Sequence, residues 1–540
     1  MTTKVSDSQP LAAAAAPAGS KWPIRRAYLI TLALAACVYG ATVQHGPVWM
    51  DSGYDQCRAL RMQLTNPLGL ALAHPLLIVM CQPLRLLGPH YVLTAFNMLP
   101  ALGMAIAVAN VLLLGFRLTG RPAAAVLAAV ALGICHTAMF LGLKSYGWVT
   151  AGLTTELLLL VGLLNQPRWW RLALLGLVNG LGFSMHNFAL LVLPVYAVAA
   201  LWLVARRQLP LGTLVLAAAA WGAGAALQLT LIVQAALVQG VLPAIKSALF
   251  GCGWQHAVIG APLHTLAWGC LYLGMNWPFL SLGPVVLGWW LMARRVGKPV
   301  AAALGAVAAI HLGFAIRYQV FDQFLFLLPS YALLAIGAAV GYARLLELAS
   351  PARRRIVALL IASLALTPVL YAVTPWLLTR TGHSVRGTYH LPLRDENRYW
   401  ITPWRFNENS AERFAREILR TVPPNAVILA SGTVGPPVQA LQQVEGLAPG
   451  VSVQTMLEAD AATGLTEPVL ERMVEDPARA QRILGGRPLY VVANYPNPEM
   501  GPIMKSHTRL APFGSLLLRV EFIDDPPAAA LPGPVGTVRE

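Results

Sequence analysis

The sequence is poor in charged residues. Only 11% of its 540 residues are Asp, Glu, Lys or Arg, whereas soluble domains carry about 25%. Hydrophobic residues make up 57% and the mean hydropathy is +0.60, which excludes an ordinary soluble globular protein. Apolar runs of about 17 to 25 residues recur, each long enough to cross a hydrocarbon core of about 30 Å as a helix. The composition predicts a polytopic α-helical membrane protein.

Acidic residues and cysteines are also scarce. There are 23 Asp and Glu against 39 Lys and Arg, a formal net charge of +16. The basic residues cluster in short breaks between apolar runs, as the positive-inside rule describes, so this charge predicts membrane topology and no nucleic-acid partner. The six cysteines form no C-x-x-C pair and no His/Cys ligand spacing, so neither a zinc site nor a redox motif is supported.

The basic clusters predict the topology of a transmembrane domain over residues 27–376. They mark the cytoplasmic side at Lys21/Arg25/Arg26, Arg117/Arg121, Arg168/Arg171, Arg206/Arg207, Arg294/Arg295/Lys298 and Arg344 with Arg353 to Arg355. Threading helices between them predicts about eleven spans, at 27–44, 93–116, 122–142, 148–164, 172–185, 187–205, 211–234, 266–291, 300–316, 324–343 and 356–376. Between 172 and 205, one long tilted helix is the alternative to two short spans.

The odd number of spans predicts a cytoplasmic N-terminus and an outer C-terminus. Residues 1–26 are predicted to be a disordered cytoplasmic segment. The first span is interpreted as an uncleaved signal-anchor because many spans follow, and a cleavable signal peptide is the alternative. The predicted location is the inner (plasma) membrane of a bacterium, crossed many times.

Two segments are predicted to lie outside the membrane. The apolar stretch Leu68 to Leu87 is broken by Pro75 and Pro83 and carries Arg85, so it is interpreted as an interfacial or re-entrant helix within a first outer loop at 44–92. Residues 377–540 are polar and alternate helix-like segments (410–421 and 467–483) with strand-like runs (426–429 and 489–492). They predict a small C-terminal α/β domain in the periplasm.

Several sequence patches resemble one family. The segment W-M-D-S-G-Y-D-Q, with Asp51 and Asp55, follows the first apolar run, and A-H-P-L, with His74, comes next. Later patches are G-L-V-N-G-L-G-F-S-M-H-N-F, Y-Q-V-F-D-Q-F-L-F-L-L-P-S-Y and S-A-E-R-F-A-R-E-I-L-R-T-V-P-P-N-A-V-I-L. In this order they resemble GT-C fold glycosyltransferases, most closely the protein O-mannosyltransferase-like group, whose first outer loop reads roughly D-S-G-E-L and then A-H-P-P-G-Y-P-L.

The resemblance implies a membrane glycosyltransferase that uses a polyprenyl-phosphate sugar donor at the outer face. Such an enzyme inverts the anomeric carbon and needs a base for the acceptor hydroxyl. Asp51 matches the family position of the base, and partial shielding would raise the pKa of such a carboxylate. Asp55 is interpreted as a helper or as a replacement for the family Glu, because Tyr54 stands in that place. A solvated loop carboxylate or helix cap is the alternative for both acids.

Five further residues are predicted to bind substrate. His74 is expected to be extended before Pro75 and to contact the donor phosphate or acceptor, unless it anchors at the headgroups. Arg317 and Lys144 are candidates for the lipid phosphate, with snorkelling as the alternative for Lys144. Asp322 is a sugar or metal contact, or a structural partner of Arg317. His186 is a site candidate by its depth, or a neutral histidine bonded to a neighbouring helix.

The expected partners are the polyprenyl-phosphate sugar, membrane lipid and an acceptor that is protein, glycan or lipid. No cofactor is expected, because an Asp pair without clustered His or Glu does not support a tightly held divalent metal. A transporter or flippase of lipid-linked glycan is the alternative, but no internal repeat is evident and the charges cluster at one face. A catalytically altered homologue is a third possibility, because Tyr54 and Leu76 depart from the family loop.

Overall fold

The computed structural model describes residues 24–140, 142–251, 257, 263–320, 322–348, 351–385, 390–455, 477–492 and 508–522. The helices in chain order are α1 (Ile24–Thr42), α2 (Met50–Arg61), α3 (Pro75–Cys81), α4 (Pro89–Thr119), α5 (Pro122–Gly133), α6 (His136–Met139), α7 (Tyr146–Asn165), α8 (Trp169–Met185), α9 (Leu193–Ala205), α10 (Gly212–Gln239), α11 (Val241–Phe250), α12 (Leu263–Asn276), α13 (Leu282–Val296), α14 (Lys298–Arg317), α15 (Gln323–Phe326), α16 (Leu328–Leu346), α17 (Pro351–Arg380), α18 (Glu396–Ile401), α19 (Ser410–Thr421), α20 (Gly435–Glu445) and α21 (Pro477–Leu484).

The chain is a multi-pass membrane protein. In the described part of the chain, eight helical segments are long and apolar enough to cross a membrane: Ile24–Thr42, Leu70–Leu87, Pro89–Thr119, Tyr146–Asn165, Gly212–Gln239, Lys298–Arg317, Leu328–Leu346 and Arg353–Arg380. Seven of them match predicted spans. Three further predicted spans fall on α5, α8 and α9, which are too short to be counted among these eight. Helix length and composition therefore do not give the predicted number of eleven spans. The orientation of the termini stays a prediction.

The predicted span 266–291 is wrong as a single helix. It consists of α12 and α13, separated by residues 277–281. Pro278 explains the break, because proline lacks an amide hydrogen and disfavours helical geometry at the residue before it. The N-terminal boundary also differs from the prediction, since α1 begins at Ile24, inside the segment 1–26 predicted to be disordered. Residues 1–23 lie outside the described residues.

The stretch Leu70–Leu87 is long and apolar enough to span, yet it is not one continuous helix. It comprises a 3-10 turn (Leu70–Leu72), the seven-residue α3 and a second 3-10 turn (Gln82–Leu87). The interruption falls at His74, whose backbone is left-handed at φ 46°. Its predicted interfacial position stays a prediction.

The core of the helical domain is formed by α4, α7 and α16, most of whose residues are buried. Small residues let neighbouring helices approach closely, as is common in membranes. A Cβ at Gly180 of α8 would collide with the Trp221 carbonyl of α10, and one at Gly288 of α13 would collide with the Gly337 carbonyl of α16. These glycines therefore permit the close packing of α8 on α10 and of α13 on α16.

The C-terminal domain contains one five-stranded sheet. Its strands are β1 (Val427–Ala430), β2 (Ser452–Thr455), β3 (Leu489–Val492), β4 (Thr508–Phe513) and β5 (Leu517–Phe522), in the order β2-β1-β3-β5-β4. The β2-β1-β3 part is parallel, whereas β5 is antiparallel to β3 and to β4. The predicted strands 426–429 and 489–492 and the predicted helix 410–421 are confirmed. Of the predicted helix 467–483, residues up to 476 lie outside the described residues.

The C-terminal domain packs directly on the end of α1 and on the segment that leads into α2. The indole Nε1 of Trp49 donates to the hydroxyl of Ser410 at 2.8 Å, and its ring lies 5.0 Å from that of Phe414. The backbone nitrogen of Arg405 donates to the carbonyl oxygen of Thr42, at the end of α1. This contact holds the domain beside α2, the helix that carries Asp51 and Asp55.

Candidate functional site

Helix α2 presents Asp51 and Asp55 one turn apart, because residues at i and i+4 lie on the same face of a helix. The C-terminal domain fixes the start of this helix, since the Met50 amide donates to the Thr433 carbonyl at 3.2 Å. Gly53 is the small residue of the D-S-G motif. A Cβ at this position would collide with the Val48 carbonyl and press on Pro436, so the motif glycine permits the close contact between α2 and α20.

Lys144 lies at the centre of a three-residue ionic cluster with Asp51 and Asp322. Lys144, in the segment before α7, donates to Asp51 at 3.2 Å and to Asp322 at 2.5 Å. The Asp51 side chain is 68% exposed, whereas those of Lys144 and Asp322 are 15% and 16% exposed. Burial alone lowers the pKa of Lys144, but the carboxylates of Asp322 and Asp51 raise it overall. Lys144 is therefore a fixed positive charge between two acids.

Asp55 is held in a different environment. It is 6% exposed and pairs with the buried guanidinium of Arg58 at 2.9 Å. Burial raises the pKa of Asp55 to about 6, against the opposing effect of the Arg58 charge. Asp55 is thus the buried member of the acidic pair, and Asp51 is the exposed one.

Arg58 also explains the unexpected conformation of His74. The prediction that His74 is extended is wrong, since its backbone is left-handed. The Arg58 guanidinium binds the carbonyls of Leu72 and Ala73, at 3.3 and 2.5 Å, and thereby turns the chain just before His74. The side chain of His74 donates from Nδ1 to the Met185 carbonyl at 3.1 Å, which is the tautomer that a carbonyl acceptor requires.

His74 and His186 form a stacked pair. Their ring centroids lie 4.8 Å apart, with an interplanar angle of 18°. The Nδ1 atom of His186 accepts from the Phe188 backbone at 3.1 Å, so a neutral His186 carries its proton on Nε2. Burial and the Lys144 charge lower the pKa of His186 to about 3, and burial with the His186 interaction holds the pKa of His74 well below its usual range. Both rings are neutral at pH 7.

These groups line one cavity of about 600 Å³. Six of the seven predicted site residues contribute to its wall: Asp51, Asp55, His74, Lys144, His186 and Asp322. Much of the rest of the wall is apolar, and includes Phe188, Leu190, Leu191, Leu249, Phe250, Phe314 and Phe326. The cavity therefore has a charged end at Asp51 and Lys144 and apolar walls contributed by residues 188–191 and by α11, α14 and α15.

Arg317 does not belong to this arrangement. It is the last residue of α14 and is exposed, and it is not among the described residues that line the cavity. The alternative of a structural Arg317–Asp322 pair is not observed either, because Asp322 pairs with Lys144. The snorkelling alternative for Lys144 is likewise not observed, since its ammonium lies in that pair.

Several cavity residues were not predicted. They are Met50, Tyr54, Asn66, Leu68, Ala71, Leu72, Ser145, Tyr146, Asn187, Tyr318, Val320 and Thr433, besides the apolar residues above. Tyr54 stands in the place of the family Glu, and Tyr146 follows the predicted site residue Lys144 by two positions. No sequence feature indicated Thr433, because it belongs to the C-terminal domain and follows Asp55 by nearly 380 residues in the chain.

No metal-binding cluster is evident within the described ranges. No group of three or more His, Cys, Asp or Glu side chains comes together there in a way that suits a metal ion.

The fold and the cavity together define a polytopic membrane protein of the GT-C fold. The structure is similar to that of ArnT from Cupriavidus metallidurans in the apo state, with a TM-score of 0.56 and 13% sequence identity over 92% of this chain and 98% of that chain. It is also similar to ArnT from the same organism bound to undecaprenyl phosphate, with a TM-score of 0.53, the same identity and the same coverage. No family model and no curated protein matches the sequence. The similarity shows the fold, as the sequence patches predicted.

The raised pKa of Asp55 predicts a pH-dependent stability. An ordinary Asp has a pKa of 3.8 and folded Asp55 has one of about 6, so between these values the folded state binds a proton that the unfolded state has lost. The contribution of Asp55 to stability is therefore largest at low pH and is lost as the pH rises through about 6. We expect the unfolding temperature of wild type, relative to Asp55→Asn, to rise as the pH falls from 7 to 4.5.

Thermal unfolding of purified protein across this pH range checks the prediction. Asp395→Asn is the matched control, because Asp395 is exposed and caps α18, where asparagine serves about equally well. Its pH profile should run parallel to wild type. Parallel profiles for Asp55→Asn and wild type would contradict the raised pKa.

Proposed function

We propose that the protein is a membrane glycosyltransferase that moves a sugar from a polyprenyl-phosphate donor to an acceptor at the outer face of the inner membrane. The observation that carries the proposal is the exposed Asp51 carboxylate beside Lys144, at the charged end of a cavity with apolar walls. Such a cavity suits a molecule with a phosphate at one end and a hydrocarbon chain at the other. The same fold binds undecaprenyl phosphate in ArnT.

The donor phosphate is expected to bind at Lys144. The exposed Asp51–Lys144 contact is longer, at 3.2 Å, than the shielded Asp322–Lys144 contact, at 2.5 Å. An incoming phosphate therefore competes more readily with Asp51 than with Asp322 for the ammonium. Asp322 keeps Lys144 in position, and the prenyl chain lies along the apolar walls near Phe188 and Phe314.

Asp51 is expected to act as the general base. When the phosphate takes over Lys144, the Asp51 carboxylate loses its positive partner and becomes a better proton acceptor. It removes the proton from the acceptor hydroxyl as that oxygen attacks the anomeric carbon. The bond from the anomeric carbon to the phosphate oxygen breaks, with inversion, and polyprenyl phosphate leaves with its new charge stabilised by Lys144.

The other polar residues have supporting roles in this proposal. Asp55 holds Arg58 and thereby the turn that presents His74. Neutral His74 and His186 offer hydrogen-bonding groups for sugar hydroxyls in a part of the cavity where a charged histidine is disfavoured. The acceptor is expected to enter beside Thr433, where the C-terminal domain contributes to the cavity wall.

Lipid analysis after turnover tests the proposal. Purified protein is reconstituted with a membrane extract that contains polyprenyl-phosphate sugars and acceptors, and the lipids are followed by mass spectrometry. A glycosyltransferase releases one free polyprenyl phosphate for each sugar transferred. A flippase leaves the lipid–sugar bond intact, so an unchanged lipid pool in an assay with active acceptor would contradict the proposal.

A further inference from the structure

Arg405 is a buried arginine at the junction of the C-terminal domain and the membrane helices. It is 4% exposed. Its guanidinium lies against two rings, 3.8 Å from the centroid of Phe140 and 3.7 Å from that of Tyr399. None of its three side-chain nitrogens makes a well-formed hydrogen bond within the described residues, although the Tyr399 side chain interacts electrostatically with its charge. A complete set of unpaired guanidinium donors at this depth is unusual.

The neighbouring Arg394 shows how the same chain pairs a buried guanidinium, although its Nη1 also has no hydrogen-bond partner among the described residues. Arg394 lies 4.0 Å from the Tyr399 centroid and pairs bidentately with Glu396, at 2.8 and 2.7 Å. Tyr399 therefore contacts two guanidinium groups, and Glu396 pairs with one of them. Among the described acidic groups, Glu408 attracts the Arg405 guanidinium electrostatically. Its carboxylate, however, accepts hydrogen bonds from the amide and the hydroxyl of Ser410.

The missing partner of Arg405 has an energetic consequence. Burying an unpaired charge is strongly unfavourable. Two cation–π contacts offset part of this cost, but they leave the N–H donors unsatisfied. A bound anion would satisfy both the charge and the donors.

A small cavity lies directly beyond the two rings. Its volume is about 40 Å³, and Phe140, Tyr399 and Trp400 line it together with Lys144 and Asp322. This volume admits a group of a few atoms, since one water needs about 10–15 Å³ on this measure, and it is too small for a sugar ring.

We propose that Arg405 binds one compact oxyanion, a carboxylate or a phosphate group, admitted through the small cavity lined by Phe140 and Tyr399. A guanidinium matches either group bidentately. Movement of one ring brings the anion from the cavity to the guanidinium. This site is distinct from the Lys144 phosphate site of the proposed transfer reaction and does not depend on that reaction, although the two sites share a wall at Lys144 and Asp322.

Thermal unfolding of the full-length protein in detergent tests the site without any transfer assay. Wild type is titrated with sodium acetate, sodium phosphate or sodium chloride at constant ionic strength and pH 7.5. We expect a saturable rise in unfolding temperature with at least one oxyanion and none with chloride. Acetate alone identifies a carboxylate site, phosphate alone identifies a phosphate site, and both together identify a general oxyanion site.

Variants assign the effect to Arg405. The variants are made in Lys144→Gln, which removes the phosphate site of the proposed transfer reaction. A rise should remain in this parent, Arg405→Gln should abolish it, and the exposed control Arg398→Gln should keep it. If Arg405→Gln does not fold, Arg405→Lys retains the charge but not the bidentate geometry, and its half-saturation concentration should increase at least about tenfold. The proposal is overturned if wild type shows no oxyanion-specific rise, if the Lys144→Gln parent shows none, if Arg405→Gln keeps the rise of that parent, or if Arg405→Lys titrates like the parent.

Discussion

Asp51→Asn is expected to lower kcat for sugar transfer by at least about 100-fold, because a positioned general base contributes about 10²- to 10⁴-fold. The amide is nearly isosteric with the carboxylate but accepts no proton at neutral pH. Since the Asp51 side chain is 68% exposed, the variant should fold and insert normally. Initial rates with reconstituted protein and a polyprenyl-phosphate sugar measure the effect.

The donor KM of Asp51→Asn shows whether Asp51 acts as the general base or as a residue that binds the donor. Asparagine at position 51 no longer pairs with Lys144, so the donor phosphate competes with one carboxylate fewer, and its KM should stay the same or fall. Asp395→Asn is the control, because Asp395 does not line the cavity and its variant should turn over like wild type. Wild-type kcat in Asp51→Asn would remove the base assignment.

Lys144→Gln is expected to raise the donor KM at least about tenfold. A hydrogen bond to a charged group contributes about 1.5–3 kcal/mol, and each 1.4 kcal/mol is about tenfold in affinity. The variant also leaves Asp51 and Asp322 near each other without the intervening ammonium, so their negative charge opposes the phosphate. Steady-state kinetics against donor concentration measure the change.

Two further lysine variants sharpen this test. Lys246→Gln removes an exposed lysine of α11 that does not line the cavity, and its donor KM should match wild type. Lys144→Arg keeps the positive charge and should recover part of the affinity. An unchanged KM in Lys144→Gln would contradict phosphate binding at this residue.

The sequence predicted the membrane helices well, because runs of apolar residues have a direct physical meaning in a bilayer. It missed the break between α12 and α13 although Pro278 is visible in the sequence, since the apolar composition continues through it. At this position the proline predicts the helix break and the apolar composition does not. The short 3-10 turns on either side of α3 follow from tertiary contacts, such as that of Arg58 with Ala73, which a sequence does not reveal.

The sequence predicted which residues belong to the site better than it predicted which of them contact one another. Asp51 was singled out by its motif and its place after the first span, and Lys144 and Arg317 by the scarcity of outer-face cations. Sequence position does not tell which way the last residue of a helix points, so Arg317 was assigned to the site and lies outside the cavity wall. The contact of Lys144 with Asp322 joins residues 178 positions apart, and only the folded structure brings them together.

The most direct test of the glycosyltransferase assignment is mass analysis of envelope glycans, lipids and glycoproteins from a strain that lacks the gene. The strain is complemented with wild type or with Asp51→Asn, at matched protein levels in the membrane. We predict that one sugar mass disappears from an envelope component on deletion, returns with wild type and does not return with Asp51→Asn. Return of the sugar with Asp51→Asn, or identical envelopes in all strains under conditions in which the gene is expressed, would contradict it.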